Sequence, residues 1–303
     1  FERYLARGAY YRPMIEETLR REGVPEELFY LGLIESGYQV DARSHASAVG
    51  PWQFIRGTAS RYGLRMGVLV DERRDPVRAT EAAARYLADL HNVFHNWFLA
   101  IAAYNAGEQR ILNAIFRGGS RDFWTLVRRG ALPRETMDYV PKFLAALIIG
   151  KNLKRYRIES PRVASMPEVE KVKLPPLVRL SEVSHRAGLE PTRIGSLNPQ
   201  LPQGLTPPDR PTEIWVPKDK VSRVARIAPT LQAVKLRIPD SVRVTRAALA
   251  KRSTHYRVRR GDSLFSIARR FGVSISNLKQ WNRLRRDFVV AGQSLRVHES
   301  GRI

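Results

Sequence analysis

EELFYLGLIESGYQVDARSHASAVGPWQ, residues 26–53, is the stretch from which the fold of this chain can be read outward. At its centre stands Glu35. Counting back in helical steps, Leu28, Leu31 and Gly32 share a face with Glu35, so a carboxylate closes an apolar stripe that otherwise points into a core. Burial disfavours the ionised form and raises the pKa, as required of a group that must carry a proton at neutral pH and hand it to a leaving oxygen. Gly37 supplies a helix stop, which places the acid at a helix end beside an irregular loop. A glutamate at a helix C-terminus is more often solvated or ion-paired than catalytic. The rest of the chain decides between the two readings.

At 303 residues the chain is long enough for about two ordinary domains, each with its own core. No run of about 18 apolar residues occurs, so no helical span of a bilayer is expected. The opening FERYLARGAYYRPM lacks the apolar stretch of a secretory signal. This is the pattern of a mature or trimmed chain whose export signal or lipid-attachment cysteine lies elsewhere. Cysteine is absent, which excludes disulfides, thiol catalysis and zinc–thiolate sites. The net charge of +23 is unevenly spread: residues 1–150 carry 20 Lys+Arg against 17 Asp+Glu, residues 151–250 carry 19 against 9, and residues 251–303 carry 13 against 3. The basic C-terminal half suits a polyanion such as nucleic acid, an acidic membrane surface or a cell wall with free carboxylates.

Pro13 is expected to open a helix closed by Gly23, and Pro25 the helix that carries Glu35. Residues 71–76 read as a charged turn. The segments 80–94 and 96–107 show helical spacing, the second rich in alanine and suited to a crowded centre. A helix is expected to start at Pro141, directly after Tyr139. Trp52, Trp97 and Trp124 read as core residues. Strand-like alternation is nearly absent before residue 160, so the N-terminal half is expected to be all-helical. Beyond it, two units share the order strand-like start, helix, Gly-Leu or Gly-Val, helix ending in Leu-Asn or Trp-Asn, then strand, and are read as a diverged repeat whose first copy lacks the Gly-Asp turn. The expected organisation is a catalytic domain over 1–158, a linker over 159–173, a degenerate first module over 174–220, a basic connector over 221–252 and a second module over 253–299.

Four fragments of the N-terminal half stand in order: Glu35-Ser36, Gly50-Pro51-Trp52-Gln53, Ala103-Tyr104-Asn105-Ala106-Gly107, and Glu135-Thr136-Met137-Asp138-Tyr139-Val140-Pro141. Together they resemble the soluble-type lytic transglycosylase family over roughly residues 20–155, with Pro51 where that family usually has leucine. The resemblance implies a mainly α, goose-type lysozyme-like catalytic domain that cleaves the bond between N-acetylmuramic acid and N-acetylglucosamine in peptidoglycan. It implies Glu35 as the catalytic acid/base. Ser44 would assist at the muramoyl N-acetyl group, and Ser36, Gln53, Tyr104, Asn105 and Tyr139 would serve as substrate-binding residues. A glycosidase of the ordinary kind needs two carboxylates. Asp41, Glu135 and Asp138 are the available partners, and Asp41 and Asp138 read more readily as cap or surface residues. One acid suffices if the muramoyl 6-hydroxyl closes onto C1 and leaves a 1,6-anhydro end. A hydrolytic muramidase remains the alternative enzyme.

HYRVRRGDSLFSIARRFGVSISNLKQWNRL, residues 255–284, resembles a LysM module. The resemblance implies a small βααβ (α+β) fold that binds glycan through Gly261, Asp262, Ser263 and Leu264 at its first turn and Trp281 and Asn282 at the end of its second helix. The same stretch has the Ala-x-x-x-Gly spacing of a helix-turn-helix. Its flanking strands and its second copy favour sugar over DNA, so a non-catalytic wall- or DNA-binding protein is the remaining alternative. His91 and His95 lack a third ligand, and neither metal nor cofactor is expected. The expected partner is the peptidoglycan glycan strand, with no nucleic acid. The chain is expected to be a monomer in the periplasm or cell envelope, with peripheral or lipid-anchored attachment to a membrane allowed.

Overall fold

The computed structural model describes residues 1–161, 167–234, 255–284, 286 and 288–297. Part of the expected linker (162–166), the connector from 235 onward and the outer residues of the last module (253, 254, 298 and 299) lie outside them.

Eight helices form the first unit: α1 (Glu2–Arg21), α2 (Phe29–Ser36), α3 (Arg56–Arg61), α4 (Pro76–Phe94), α5 (Trp97–Ala106), α6 (Glu108–Gly118), α7 (Phe123–Arg128) and α8 (Arg134–Lys151). At the centre α5 packs against α4, α6 and α8, and its Ala100, Ala102 and Ala103 are fully buried. Alanine permits this because it lets three neighbouring backbones approach one helix. Local signals fix the ends. Asp75 accepts from the amides of Val77 and Arg78 ahead of Pro76, and Asn96 accepts from Leu99, each cap contributing about 1 kcal/mol. Trp52 lies wholly within this core, while Trp97 and Trp124 pack against it partly exposed.

Two proline expectations need correction. Helix α1 runs through Pro13 from Glu2, and α8 runs through Pro141 from Arg134. Proline lacks a donor but does not end a helix whose other bonds and buried face are intact. In α8 that face is Thr136, Tyr139, Val140, Phe143 and Ala146. Tyr139 therefore projects from inside a helix rather than from a preceding loop.

Each of the other two units has its own core. The first pairs β1 (Val169–Leu174) antiparallel with β2 (Thr212–Pro217), Val172 opposite Ile214, around α9 (Leu180–Arg186) and α10 (Arg193–Leu197). A further helix, α11 (Val221–Ile227), packs on β1 and buries Val224 in the same core. The expected boundaries shift accordingly. Residues 169–173, assigned to the linker, form a strand, and the first residues of the connector form a helix. The strand was hidden because Glu170, Lys171 and Lys173 face solvent, leaving Val172 and Leu174 as its buried residues. The last unit pairs β3 (His255–Arg257) with β4 (Ser294–Arg296) around α12 (Leu264–Phe271) and α13 (Ile275–Asn282). Both units follow the order βααβ, in a chain that is otherwise mainly α.

One device recurs in both small units. The Asn198 amide donates to the carbonyls of Ile194 and Trp215 at 2.8 Å each and accepts from the Trp215 amide at 2.7 Å. Asn282 donates to Leu278 and Arg296 at 2.8 Å each and accepts from the Arg296 amide at 2.7 Å. In each unit an asparagine at the end of the second helix pins the closing strand.

Candidate active site

Glu35 is the penultimate residue of α2, which stops because Gly37 adopts a left-handed conformation (φ 58°) and returns its amide to Leu33. From α8, the Tyr139 hydroxyl donates to Glu35 Oε1. Burial raises the Glu35 pKa to about 7; the Tyr139 hydrogen bond opposes the rise and the nearby Glu135 carboxylate adds to it. Burial, and then the charge of Glu35, likewise raise the Tyr139 and Tyr104 hydroxyls well above the ordinary tyrosine value, so both stay protonated donors. Glu135 itself is exposed at the start of α8. It accepts from Asn105 Nδ2 at 3.4 Å, and Thr136 donates to Asn105 Oδ1 at 3.2 Å.

The loop after α2 lies beside these residues. Residues 42–54 fold on themselves: Gly50 donates to the Ala42 carbonyl, and Val49 and Phe54 exchange backbone bonds. Ser36 Oγ donates to the Pro51 carbonyl at 2.8 Å and the Tyr104 hydroxyl to the Trp52 carbonyl at 2.8 Å. Trp52 is anchored behind them by its indole N–H on Thr80 at 2.9 Å. Gln53 donates to Gly50 and Ala42, and the Ser44 hydroxyl accepts from the Ala48 amide at 3.1 Å. Glu35, Tyr139, Tyr104 and Asn105 thus come together from α2, α8 and α5. Ser36, Ser44 and Gln53 use their side chains to shape the loop, and Asp41 and Asp138 lie exposed.

Reading the sequence missed what stands behind this loop. The charged turn over residues 71–76 is a buried strut: Asp71, Glu72, Arg73 and Asp75 are all buried. Arg73 grips both oxygens of Asp71 at 2.8 Å and donates to the carbonyls of Ser47 and Phe54 at 3.2 and 3.1 Å. Gly50 lies against the Arg73 carbonyl so closely that a Cβ there would be 1.8 Å from it, and with φ at 85° the position requires glycine. The alternation of acids and arginines was the available signal, but such runs usually mark a solvated face.

In the last unit, Gly261 (φ 87°) makes the turn, and Asp262 accepts from the Arg259 amide and the Tyr256 hydroxyl at 2.8 and 2.7 Å. Ser263 caps α12 in a reciprocal box with Ser266, and Leu264 is core. Asn282 is spent on β4, while Trp281 is half-buried. Of the six expected glycan-binding residues, four therefore use their side chains within the unit. What this surface offers a ligand is mainly loop backbone and the Trp281 ring. Among the described residues no group of three or more His, Asp or Glu is placed to hold a metal ion.

Comparison with known proteins follows this geometry. The transglycosylase SLT domain profile matches residues 12–127, which hold Glu35, the loop and Tyr104. Over those residues the N-terminal unit is similar to the transglycosylase SLT domain. The LysM-like domain of lytic transglycosylase MltD matches residues 168–233, and the LysM domain matches residues 256–298. Over 292 residues the chain is 35% identical to membrane-bound lytic murein transglycosylase D of Escherichia coli strain K12, an alignment covering 95% of this chain and 63% of that protein. The chain thus spans less than two thirds of that relative's length. Cell wall-binding protein YocH of Bacillus subtilis strain 168 is 45% identical over 42 residues, 14% of this chain and 15% of that protein. Among solved structures, lytic transglycosylase Slt from Pseudomonas aeruginosa aligns with 25% identity and a TM-score of 0.41, covering 50% of this chain and 25% of that one.

Proposed function

We propose that this chain is a peptidoglycan lytic transglycosylase that breaks the β-1,4 bond from N-acetylmuramic acid to N-acetylglucosamine without water and leaves a 1,6-anhydro end. The observation that carries the reading is a buried carboxyl group held by the Tyr139 hydroxyl, its pKa pushed up to about 7 by burial, with no second carboxylate hydrogen-bonded to it among the described residues. Glu35 protonates the bridging oxygen and expels the leaving sugar. Its carboxylate then takes the proton of the muramoyl 6-hydroxyl as that oxygen closes on C1. Tyr139 holds Glu35 Oε1, so the other oxygen carries the mobile proton. Ser44, whose hydroxyl hydrogen is not used in the loop bond, is the donor for the muramoyl N-acetyl group. Ser36, Gln53, Tyr104 and Asn105 keep the groove in shape around it. In this reading the basic C-terminal half and its LysM modules hold glycan strands, and the chain works in the cell envelope, attached to the membrane peripherally or through a lipid.

A hydrolytic muramidase has one observation in its favour, the Glu135 carboxylate close enough to raise the Glu35 pKa. The mass of the digestion products separates the two readings, because an anhydro end is lighter than a reducing end by one water. Glu35→Gln is expected to abolish clearing of purified sacculi while leaving sacculus binding intact. Since the protonated acid starts the reaction, activity is expected to be full below about 7 and to fall as pH rises through that value. Reducing ends alone, or clearing that survives Glu35→Gln, defeat the proposal.

A further inference from the structure

We infer that the LysM-like unit over 168–233 acts as a positioning element for the substrate loop, a role distinct from reading glycan. The loop 42–54 is held on two sides. Toward the catalytic acid, Ser36 and Tyr104 hold the carbonyls of Pro51 and Trp52. From behind, Arg73 holds the carbonyls of Ser47 and Phe54, with Gly50 pressed on its own carbonyl. Arg73 is only as fixed as Asp71, whose carboxylate grips it on two atoms.

The strut formed by residues 70–75 is shared with the LysM-like unit. The Asp71 amide donates to the Gln200 carbonyl at 2.8 Å, and the Trp215 indole N–H donates to Asp75 Oδ2 at 3.3 Å. Val70 packs into the core of that unit. Gln200 and Trp215 are 15 positions apart in sequence but are locked together by Asn198, whose Oδ1 accepts from Gln200 Nε2 at 3.0 Å and from the Trp215 amide at 2.7 Å. One buried asparagine thus presents both contacts to the strut as a rigid pair. In the last unit the corresponding segment after Asn282 instead leaves Arg283, Arg286, Phe288 and Val290 exposed. The segment after the asparagine thus meets the N-terminal unit in one copy and faces solvent in the other.

The loop carries Ser44 and Gln53, so loosening it acts on substrate binding ahead of the chemical step; this consequence rests on the proposed function, whereas the positioning itself does not. The test uses the full chain with Val70→Asp, which attacks the contact from the catalytic side, and Trp215→Ala, which attacks it from the other. Amide hydrogen exchange is followed by mass spectrometry on peptides spanning 42–54, where the amides of Val49, Gly50 and Phe54 are bonded. Exchange there is expected to rise roughly tenfold in both variants, the loss associated with one hydrogen bond to a charged group. Peptides of α5 and α8 keep wild-type exchange, and KM for glycan rises several-fold with kcat near wild type. Wild-type protection of 42–54 in both variants overturns the inference, whatever the activity. Loss of that protection in both variants, alongside a wild-type chain that makes no anhydro product, would instead keep the positioning role and defeat the proposed function alone.

Discussion

In the unit built on β1 and β2, Asn198 is fully buried and serves four hydrogen bonds; in the unit built on β3 and β4, Asn282 is half-buried and serves three. Both pin the end of a helix to a closing strand, and there the likeness stops. The first unit meets the N-terminal unit through Gln200, just after its second helix, and Trp215 of its closing strand. The second meets it through the start of α13: Ser276 donates to Asp89 at 2.8 Å, and the amides of Ile275 and Ser276 point at the same carboxylate, which also accepts from Tyr62 at 2.8 Å. Asp75 caps α4 and Asp89 lies toward its far end, so a single helix carries both attachments. A shared frame therefore says little about function; the surface turned toward the neighbour decides it.

The largest effect should separate the two asparagines. Asn198→Ala leaves two backbone carbonyls, the Trp215 amide and Gln200 without partners in a dry site, for an expected loss of roughly 3–4 kcal/mol in its unit. Asn282→Ala, at a wetter position where water replaces part of what is lost, is expected to cost roughly 2 kcal/mol. Urea unfolding followed by exchange within each unit reads both. Equal losses would mean that the first copy is no better buried than the second, and the comparison would fail at its base.

Next comes Asp89→Asn. A carboxylate accepts at both oxygens, whereas an amide turns one of them into a donor that faces the Ile275 and Ser276 amides or the Tyr62 hydroxyl. An expected cost of roughly 1–2 kcal/mol falls on the attachment of the last unit, seen as faster exchange over 264–282. Loop 42–54 is expected to keep its protection, because nothing on its rear side depends on Asp89. Loosening of that loop would show that the two attachments are coupled through α4.

What could be read from the chain and what could not divide along a physical line. That Glu35, Tyr104, Tyr139 and the loop lie together was legible because each belongs to a short fragment of distinctive residue types. The strut was not, since Asp71 and Arg73 look solvated until it is known that Ser47, Phe54 and Gln200 bring backbone carbonyls to them. Contacts to backbone leave no trace in residue identity. Strand β1 was hidden for a related reason, its outward residues being lysine and glutamate beside two prolines. Tyr139 was identified as a site residue but placed ahead of a helix, because Pro141 reads as a start when only local sequence is weighed.

The smallest expected effect tests how the first unit is held. Glu213 sits 3.8 Å from Arg78 of the N-terminal unit and 3.9 Å from Lys171 of its own unit, with half of its side chain exposed. Pairs of this kind contribute roughly 0–1 kcal/mol and are screened by salt. The bonds of Gln200 to Asp71 and of Trp215 to Asp75 involve buried partners and are not screened in this way. Glu213→Gln, or added salt alone, is therefore expected to leave exchange over 42–54 and 198–217 within a factor of about two of wild type. If either releases the unit, exposed charge holds it in place, and the buried strut is a consequence of docking and not its cause.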